Sequence, residues 1–244
     1  LGDVYKRQLK ALSLLKKSTK NFKNCQIKQQ NSRKMCYNKT QPERERLMND
    51  FFAYVNRLKY IERWGLMRRT ESENLWEHSF QTAVLAHCLA LIAKNELGKK
   101  ADENRVAARA LFHDVTEALT GDLPTPVKYY DEDIRQAYKR IEEGARQKLL
   151  NSLPDAYARC YAPLLDERCR EEDEICRYEK KLVKYADKLS AYLKCKTELN
   201  LGNGEFKKAL SAIENELDAF DSDEIRFFLE NFAPSFELTL DELE

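Results

Sequence analysis

The stretch Ala110–Asp122, ALFHDVTEALTGD, sets a histidine and an aspartate side by side in an otherwise apolar helical pattern. Each helical residue advances by about 100°, so with Val106 at zero, Ala110 falls at about 40°, His113 at about 340°, Glu117 at about 20° and Asp114 at about 80°. Arg105, Arg109 and Thr116 gather at roughly 260–300° and form the solvent stripe. One continuous helix is therefore expected from Glu103 to about Thr120, ended by Gly121. Two carboxylates and an imidazole would point inward from it. Buried carboxylates cost several kcal/mol each unless they are neutralised, paired or bound to a cation. Compensating positive charge is expected beside them.

Downstream, Asp122-Leu123-Pro124-Thr125-Pro126-Val127-Lys128 cannot stay helical through two prolines and reads as a rigid loop. Asp122, Thr125 and Lys128 could face one cavity there, or the loop is an ordinary stiff connection. Upstream, Trp76 to Lys94 reads as a helix with Phe80, Ala83, Val84, His87 and Leu91 on its inner stripe and His78 at its start. His78 and His87 fall on opposite faces, and His87 reads as a core histidine. Asn49 to Arg63 is expected to be an amphipathic helix with Phe52, Val55, Leu58 and Ile61 inward, stopped by Gly65. Arg63 and Trp64 at its end read on their own as a solvated charge and a packing residue.

Further helices are expected over Ile134–Leu150, with Ile141 and Ala145 inward, and over Asp155–Tyr161 between Pro154 and Pro163. Others cover Leu182–Leu199, Glu205–Phe220 and Asp223–Phe232. Asp187 falls on the shoulder of its helix's apolar arc, at about 140° from Leu182. The dense charge run Asp166–Lys181 is assigned no chemistry. No run of period-two alternation, internal repeat or glycine-rich phosphate loop is present, so the fold class is all-α.

Length and composition set bounds. At 244 residues, 43% hydrophobic and 34% charged, the chain suits one globular domain. The net charge is +1, yet residues 1–47 hold 13 Lys and Arg against 3 Asp and Glu, leaving 29 against 38 in the remainder. That basic stretch reads as a disordered tail, 1–47, ahead of a domain spanning 48–244. Its opening LGDVYKRQ looks like translated sequencing adapter and Met48 makes a natural start, so the tail need not be native. An arm that contacts nucleic acid is the less favoured alternative. Seven cysteines without a CxxC pair argue against a disulfide framework or structural zinc. The longest apolar run is far shorter than the ~20 residues of a membrane span, and no secretory signal is visible. A soluble, intracellular protein is expected.

His78, His113, Asp114 and Asp187, with Glu117 and Asp122 close by, form an N/O donor set. It suits Mn, Fe, Co, Ni or Zn better than Ca or Mg. These residues match the H…HD…D signature of the HD-domain metal-dependent phosphohydrolases. Longer strings are more specific: RLKYIERWGLMR, EHSFQTAVLAHCLA, HDVTEALTGDLPTPVKYY, KYADKLSAYLKC and FAPSFELTLDEL resemble the bacterial 5′-deoxynucleotidase branch. The resemblance covers Met48 to Glu244.

It implies a helical HD-domain fold that holds one divalent transition metal, Co, Mn or similar, through His78, His113, Asp114 and Asp187. It further implies hydrolysis of deoxyribonucleoside 5′-monophosphates to deoxynucleoside and phosphate by a homodimer in the cytoplasm, with no membrane or nucleic-acid polymer as partner. Arg63 and Trp64 match the pair that orients the phosphate and screens the sugar. Glu117 and the loop Asp122, Leu123, Pro124 and Thr125 match catalytic and substrate-contacting positions. Lys128 and the ligands His78, Asp114 and Asp187 are further expected substrate contacts. The rivals are an HD phosphohydrolase acting on a cyclic nucleotide, alarmone or triphosphate, and a non-catalytic helical metal-binding scaffold with an RNA-binding tail. A triphosphate or alarmone enzyme would need more cations than Arg63, Arg68, Arg69 and Lys128.

Overall fold

Asn74 starts the central helix with a reciprocal cap. Its Oδ1 accepts from the backbone N–H groups of Trp76 and Glu77, and the Glu77 carboxylate accepts from the Asn74 N–H. The computed structural model describes residues 49–128, 130–166 and 173–243, except for the side chain of Thr125. The expectations for tail 1–47 and the Met48 start, for the middle of the charge run and for the Thr125 side chain fall outside these residues.

In chain order the helices are α1 (Phe51–Val55), followed by a 3₁₀ turn (Asn56–Tyr60), α2 (Leu75–Asn95), α3 (Glu103–Leu111), α4 (Glu117–Thr120) and α5 (Thr125–Lys128). Then come α6 (Glu132–Asn151), α7 (Asp155–Leu165), α8 (Glu174–Asn200), α9 (Lys207–Ala219) and α10 (Asp223–Asn231). Among the described residues there is no strand, only one antiparallel bridge between Glu62 and Asn74. The fold is all-α. No helix among these residues is long and apolar enough to cross a membrane.

The main core is made by α2, α3 and α8, with α9 and α10 against them. The inner face of α2 carries His78, Thr82, Ala86, Leu89 and Ala93, and Phe80 and Val84 lie 64% and 54% exposed. The expected inner stripe was therefore rotated. Small residues, Ala83, Ala86, Ala90 and Ala93, let α3 and α8 approach closely, and this packing outweighs the larger apolar side chains left outside. His87 is half-buried, not a core residue. On α6 Ile141 is likewise exposed, while Tyr138, Ala145 and Leu149 are buried. In α1 Phe51 is buried and Phe52 exposed, and Leu58 is buried in the 3₁₀ turn that follows.

A smaller core joins α1, α6 and α7 through Phe51, Val115, Leu149, Leu153 and Leu165, with the Phe112 and Tyr161 rings against it. The helix α7 runs through Pro163 to Leu165, past the expected end at Tyr161. Part of the charge run belongs to α8, where fully buried Glu179 accepts from Arg105 and holds α3 against α8. Cys176, near the start of α8, is disulfide-bonded, which the cysteine spacing did not anticipate. Cys88, Cys160 and Cys195 are free.

The expected helix over Glu103–Thr120 is broken. It ends at Leu111, and residues 112–116 form tight turns before α4. The Ala110 carbonyl takes the His113 N–H (3.4 Å) and the His113 Nδ1–H (2.7 Å), and so does not close a regular turn onto Asp114. The turns straddle both cores: Val106 and Ala110 lie in the larger one and Val115 in the smaller. Gly121, at φ 74°, ends α4 in a conformation that favours glycine. After it the proline loop is partly helical, forming α5, contrary to the expected irregular course.

Candidate active site

The expected helix end at Arg63 is instead an extended turn. After the 3₁₀ turn the chain straightens at Ile61, and bonds from Arg63 N to Glu73 O and from Leu75 N to Ile61 O fix it beside the start of α2. Arg63 is consequently not a solvated charge. Its guanidinium reaches inward, 2.7 Å from His78 Nδ1, 3.3 Å from Glu73 Oε2 and 4.0 Å from Asp187 Oδ1. Burial works against its charge, but Glu73, Asp187, Asp114 and Asp122 outweigh this and raise its pKa. This is the compensating charge that the carboxylates required.

Trp64 follows at φ 58°, a backbone region that costs a bulky residue about 1–3 kcal/mol. Its indole N–H donates to Glu73 Oε2 at 2.7 Å and its ring packs on Phe206 at 5.4 Å. The surrounding bonds hold it there: Met67 N–H to Trp64 O, and the Arg69 guanidinium to Arg63 O.

The helices α2 and α8 and the turn after α3 bring His78, Asp187 and the doublet His113-Asp114 to one point. Single donor atoms of His78, His113 and Asp114 lie within 4.8 Å of one another. Asp187 Oδ1 is 3.1 Å from His78 Nε2 and 4.0 Å from His113 Nε2, and Asp114 Oδ2 is 3.6 Å and 3.1 Å from the same two atoms. Ligands at about 2.1 Å from one ion lie roughly 3–3.5 Å apart, so a cation fits among them with small adjustments. Both Nε2 atoms are buried without a hydrogen bond, and each ring is anchored through Nδ1. His113 Nδ1 lies 2.7 Å from Ala110 O and donates to it, so in the neutral ring, the form able to hold a cation, Nε2 would keep its lone pair. His78 Nδ1 lies 3.0 Å from Ser190 Oγ, and that hydroxyl donates to Gln81 Oε1.

Burial, then the Arg63 charge, lower the His78 pKa and keep it neutral. Burial also disfavours charge on His113, but Asp114 prevails and lifts it to about 9. Asp114, despite burial, is held at about 2 by His113. Asp187, despite burial, is lowered by the His78 ring 3.1 Å away and by His113 and Arg63. On α4, burial followed by Asp114 and Asp122 pushes Glu117 up to about 9, and its Oε2 is buried with no hydrogen bond. Asp122 is raised chiefly by burial and also by Asp114, against the Arg63 charge.

Leu123 and Pro124 are half-buried beside it, with no hydrogen bond to the cluster among those of the described residues. Lys128 bonds Glu142 at 2.9 Å and lies 4.8 Å above the Tyr138 ring, and Glu142 outweighs burial in raising its pKa. Arg68 and Arg69 are engaged elsewhere, with Glu205 and with Glu62.

Glu73, Ser190 and Gln81 escaped the sequence reading. Glu73 sits in an irregular link with no periodicity, and Ser190 and Gln81 are ordinary polar residues on long helices. Only the approach of α2, α8 and the link exposes their roles.

Residues 50–236 match the YfbR-like 5′-deoxynucleotidase family. The chain is 47% identical over 193 residues to a 5′-deoxynucleotidase of Photobacterium profundum, covering 79% of this chain and 97% of the relative. It is 48% identical to 5′-deoxynucleotidase YfbR of Escherichia coli, covering 79% and 94%. Among solved structures it is similar to an HD-domain phosphohydrolase from Listeria innocua, with TM-score 0.65, 21% identity and coverage of 77% and 88%. A cyanophage S-2L HD phosphohydrolase, solved with dA and one catalytic Zn²⁺ ion, gives TM-score 0.55 at 21% identity, covering 75% and 96%. By the extent of the family match and by its identity to these relatives, the chain belongs to the YfbR-like 5′-deoxynucleotidase family.

Proposed function

We propose that this protein hydrolyses deoxyribonucleoside 5′-monophosphates to deoxynucleoside and phosphate, using one divalent transition metal, Co, Mn or similar. The observation that carries the reading is the pair of buried, unpartnered Nε2 atoms of His78 and His113, grouped with an Asp114 oxygen, with Asp187 Oδ1 3.1 Å from one and 4.0 Å from the other. The names of the 47–48% identical relatives support the substrate class.

His78, His113, Asp114 and Asp187 would hold the cation. Such an ion acidifies a bound water and offsets charge on phosphoryl oxygens. For His78 to ligate through Nε2, its ring proton must sit on Nδ1 and be given to Ser190. Arg63 can only donate, so it leaves His78 and offers its planar fork to the phosphate. Glu117 has a free buried oxygen that can orient the attacking water, and it would accept the water's proton once a bound cation's charge offsets the burial and the neighbouring carboxylates that otherwise keep it protonated. Asp122, raised by burial, keeps a proton above the usual carboxylate range and gives it to the leaving 5′ oxygen, or else holds the sugar hydroxyl. Trp64 screens the sugar. Leu123, Pro124 and Lys128 close the substrate side, and His78, Asp114 and Asp187 contact substrate where they would surround the cation.

A monophosphate is favoured because Arg68 and Arg69 are tied to Glu205 and Glu62, while Arg63 and Lys128, itself paired with Glu142, are the cations that act on Glu117 among the described residues. A homodimer acting in the cytoplasm belongs to the same reading and rests on the family resemblance.

Replacing Glu117 by Ala tests it. The variant should keep its metal by elemental analysis and lose about 10²–10⁴-fold in turnover. Turnover unchanged in a metal-loaded Glu117→Ala would remove Glu117 from the mechanism.

A further inference from the structure

Glu73 lies outside the metal cluster and outside every position assigned above, yet it touches both groups that meet the nucleotide. It is 8% exposed. Its Oε2 accepts the Trp64 indole N–H at 2.7 Å and the Arg63 Nη1 at 3.3 Å, while Oε1 stands 3.8 Å from His78 Nδ1. Its backbone carbonyl takes the Arg63 N–H. One residue thus fixes Arg63 by main chain and side chain, and fixes the ring of a tryptophan whose backbone is strained at φ 58°. A strained bulky residue persists only where its surroundings over-determine it. Phe206 supplies a packing surface but no direction, whereas the indole N–H bond sets the rotation of the ring.

We infer that Glu73 is a positioning residue that sets substrate selectivity: it locks the Trp64 ring at the sugar and the Arg63 fork at the phosphate. The inference rests on the function proposed above. Glu73 touches no reacting atom; it acts through Trp64 and Arg63. The two contacts need different chemistry. An amide can accept the indole N–H but does not anchor a guanidinium as a carboxylate does, since it loses the attraction between opposite charges and the second equivalent oxygen.

The experiment compares wild type, Glu73→Gln and Glu73→Ala as full-length, metal-loaded proteins. It measures kcat and KM for matched deoxy and ribo monophosphates, metal content, and acrylamide quenching of Trp64 in a Trp76→Phe background. The chain has two tryptophans, so Trp64 is then the only indole. Glu73→Ala should cut the deoxy-to-ribo ratio of kcat/KM by about tenfold and raise KM several-fold, as expected for losing a bond to a charged acceptor. Metal content should stay at the wild-type level and Trp64 should become more quenchable. Glu73→Gln, which keeps the shape, should retain most of the ratio and the protection of Trp64 but still raise KM.

If both variants keep the wild-type ratio and KM while only thermal stability falls, Glu73 is a structural carboxylate and the inference is overturned. Wild type that hydrolyses no deoxynucleotide defeats the functional reading instead. In that case Trp64 quenching decides on Glu73 alone, and unchanged quenching in Glu73→Ala overturns it.

Discussion

His113 and Asp114 are adjacent, and on a regular helix their side chains would diverge by about 100°. They meet at one point because the helix ends between Ala110 and His113, where the His113 ring takes a carbonyl that a continuing helix would use. The residues themselves were legible in the sequence. One histidine, the His113-Asp114 doublet and a distant aspartate form a sparse set in a chain with three histidines. Asp187, on the shoulder of its helix, reads from spacing alone as more often exposed, yet its Oδ1 lies 3.1 Å from His78 Nε2. Glu73 could not be read, because no spacing links a carboxylate in an irregular link to an arginine ten residues earlier.

At this scale Arg63 has a direct test. Arg63→Lys keeps the charge but loses the planar fork, so kcat/KM for a deoxynucleotide should fall about 10–100-fold, the worth of one charge-assisted bond. Steady-state kinetics on protein with wild-type metal content check this, and a change under twofold would mean that the phosphate is held elsewhere. Trp64→Ala should narrow the deoxy-to-ribo ratio of kcat/KM. An unchanged ratio would end its role at the sugar.

Helix existence was legible because the 3.6-residue period persists whichever face is buried, whereas the buried face itself was misread on α2. There Ala86, Ala90 and Ala93 face the core and Phe80 does not, since close helix approach rewards small side chains. The link between the Trp64 turn and α2 is held by Glu198 near the end of α8. Fully buried, it accepts from the backbone of Thr70 (2.8 Å) and Glu71 (3.1 Å), from Lys194 and from Asn203. Burial alone would raise its pKa, but the Lys194 ammonium and these bonds hold it at about 2, below the ordinary value of 4.5.

A depressed folded pKa gives stability that is present above about 4.5 and lost as pH falls toward 2, on the order of 3 kcal/mol here. Thermal melts from pH 7 to pH 3 should therefore show wild type losing stability faster than Glu198→Gln, which starts lower. Parallel pH profiles for the two proteins would contradict this assignment. Because the link carries Glu73, Glu198→Gln should also raise KM.

For the whole molecule, the all-α class followed from absent alternation and repeated helical periods, and the structural neighbours share the HD-domain fold. What the periods could not show was the division of the core. The cluster of His78, His113, Asp114 and Asp187 stands where the larger core of α2, α3 and α8 meets the smaller one of α1, α6 and α7. That junction depends on long-range packing.

Charge is also partitioned along the chain, with the basic excess in residues 1–47 and a net acidic remainder. We propose that activity belongs to residues 48–244. A variant lacking 1–47 should hydrolyse deoxynucleotides at the full-length rate, within about twofold, and loss of activity with folding intact would assign the tail a role. Light scattering on the same variant should give the mass of a dimer.

The central claim is that a transition metal held by His78, His113, Asp114 and Asp187 makes this a deoxynucleotide phosphatase. The measurement is phosphate release after chelator treatment, with Mn, Co, Zn or Mg restored separately, on paired deoxy and ribo monophosphates. The expected result is no release from stripped protein, recovery with Co or Mn, and faster hydrolysis of the deoxy substrate. Absence of release from every deoxynucleotide with every metal would contradict it.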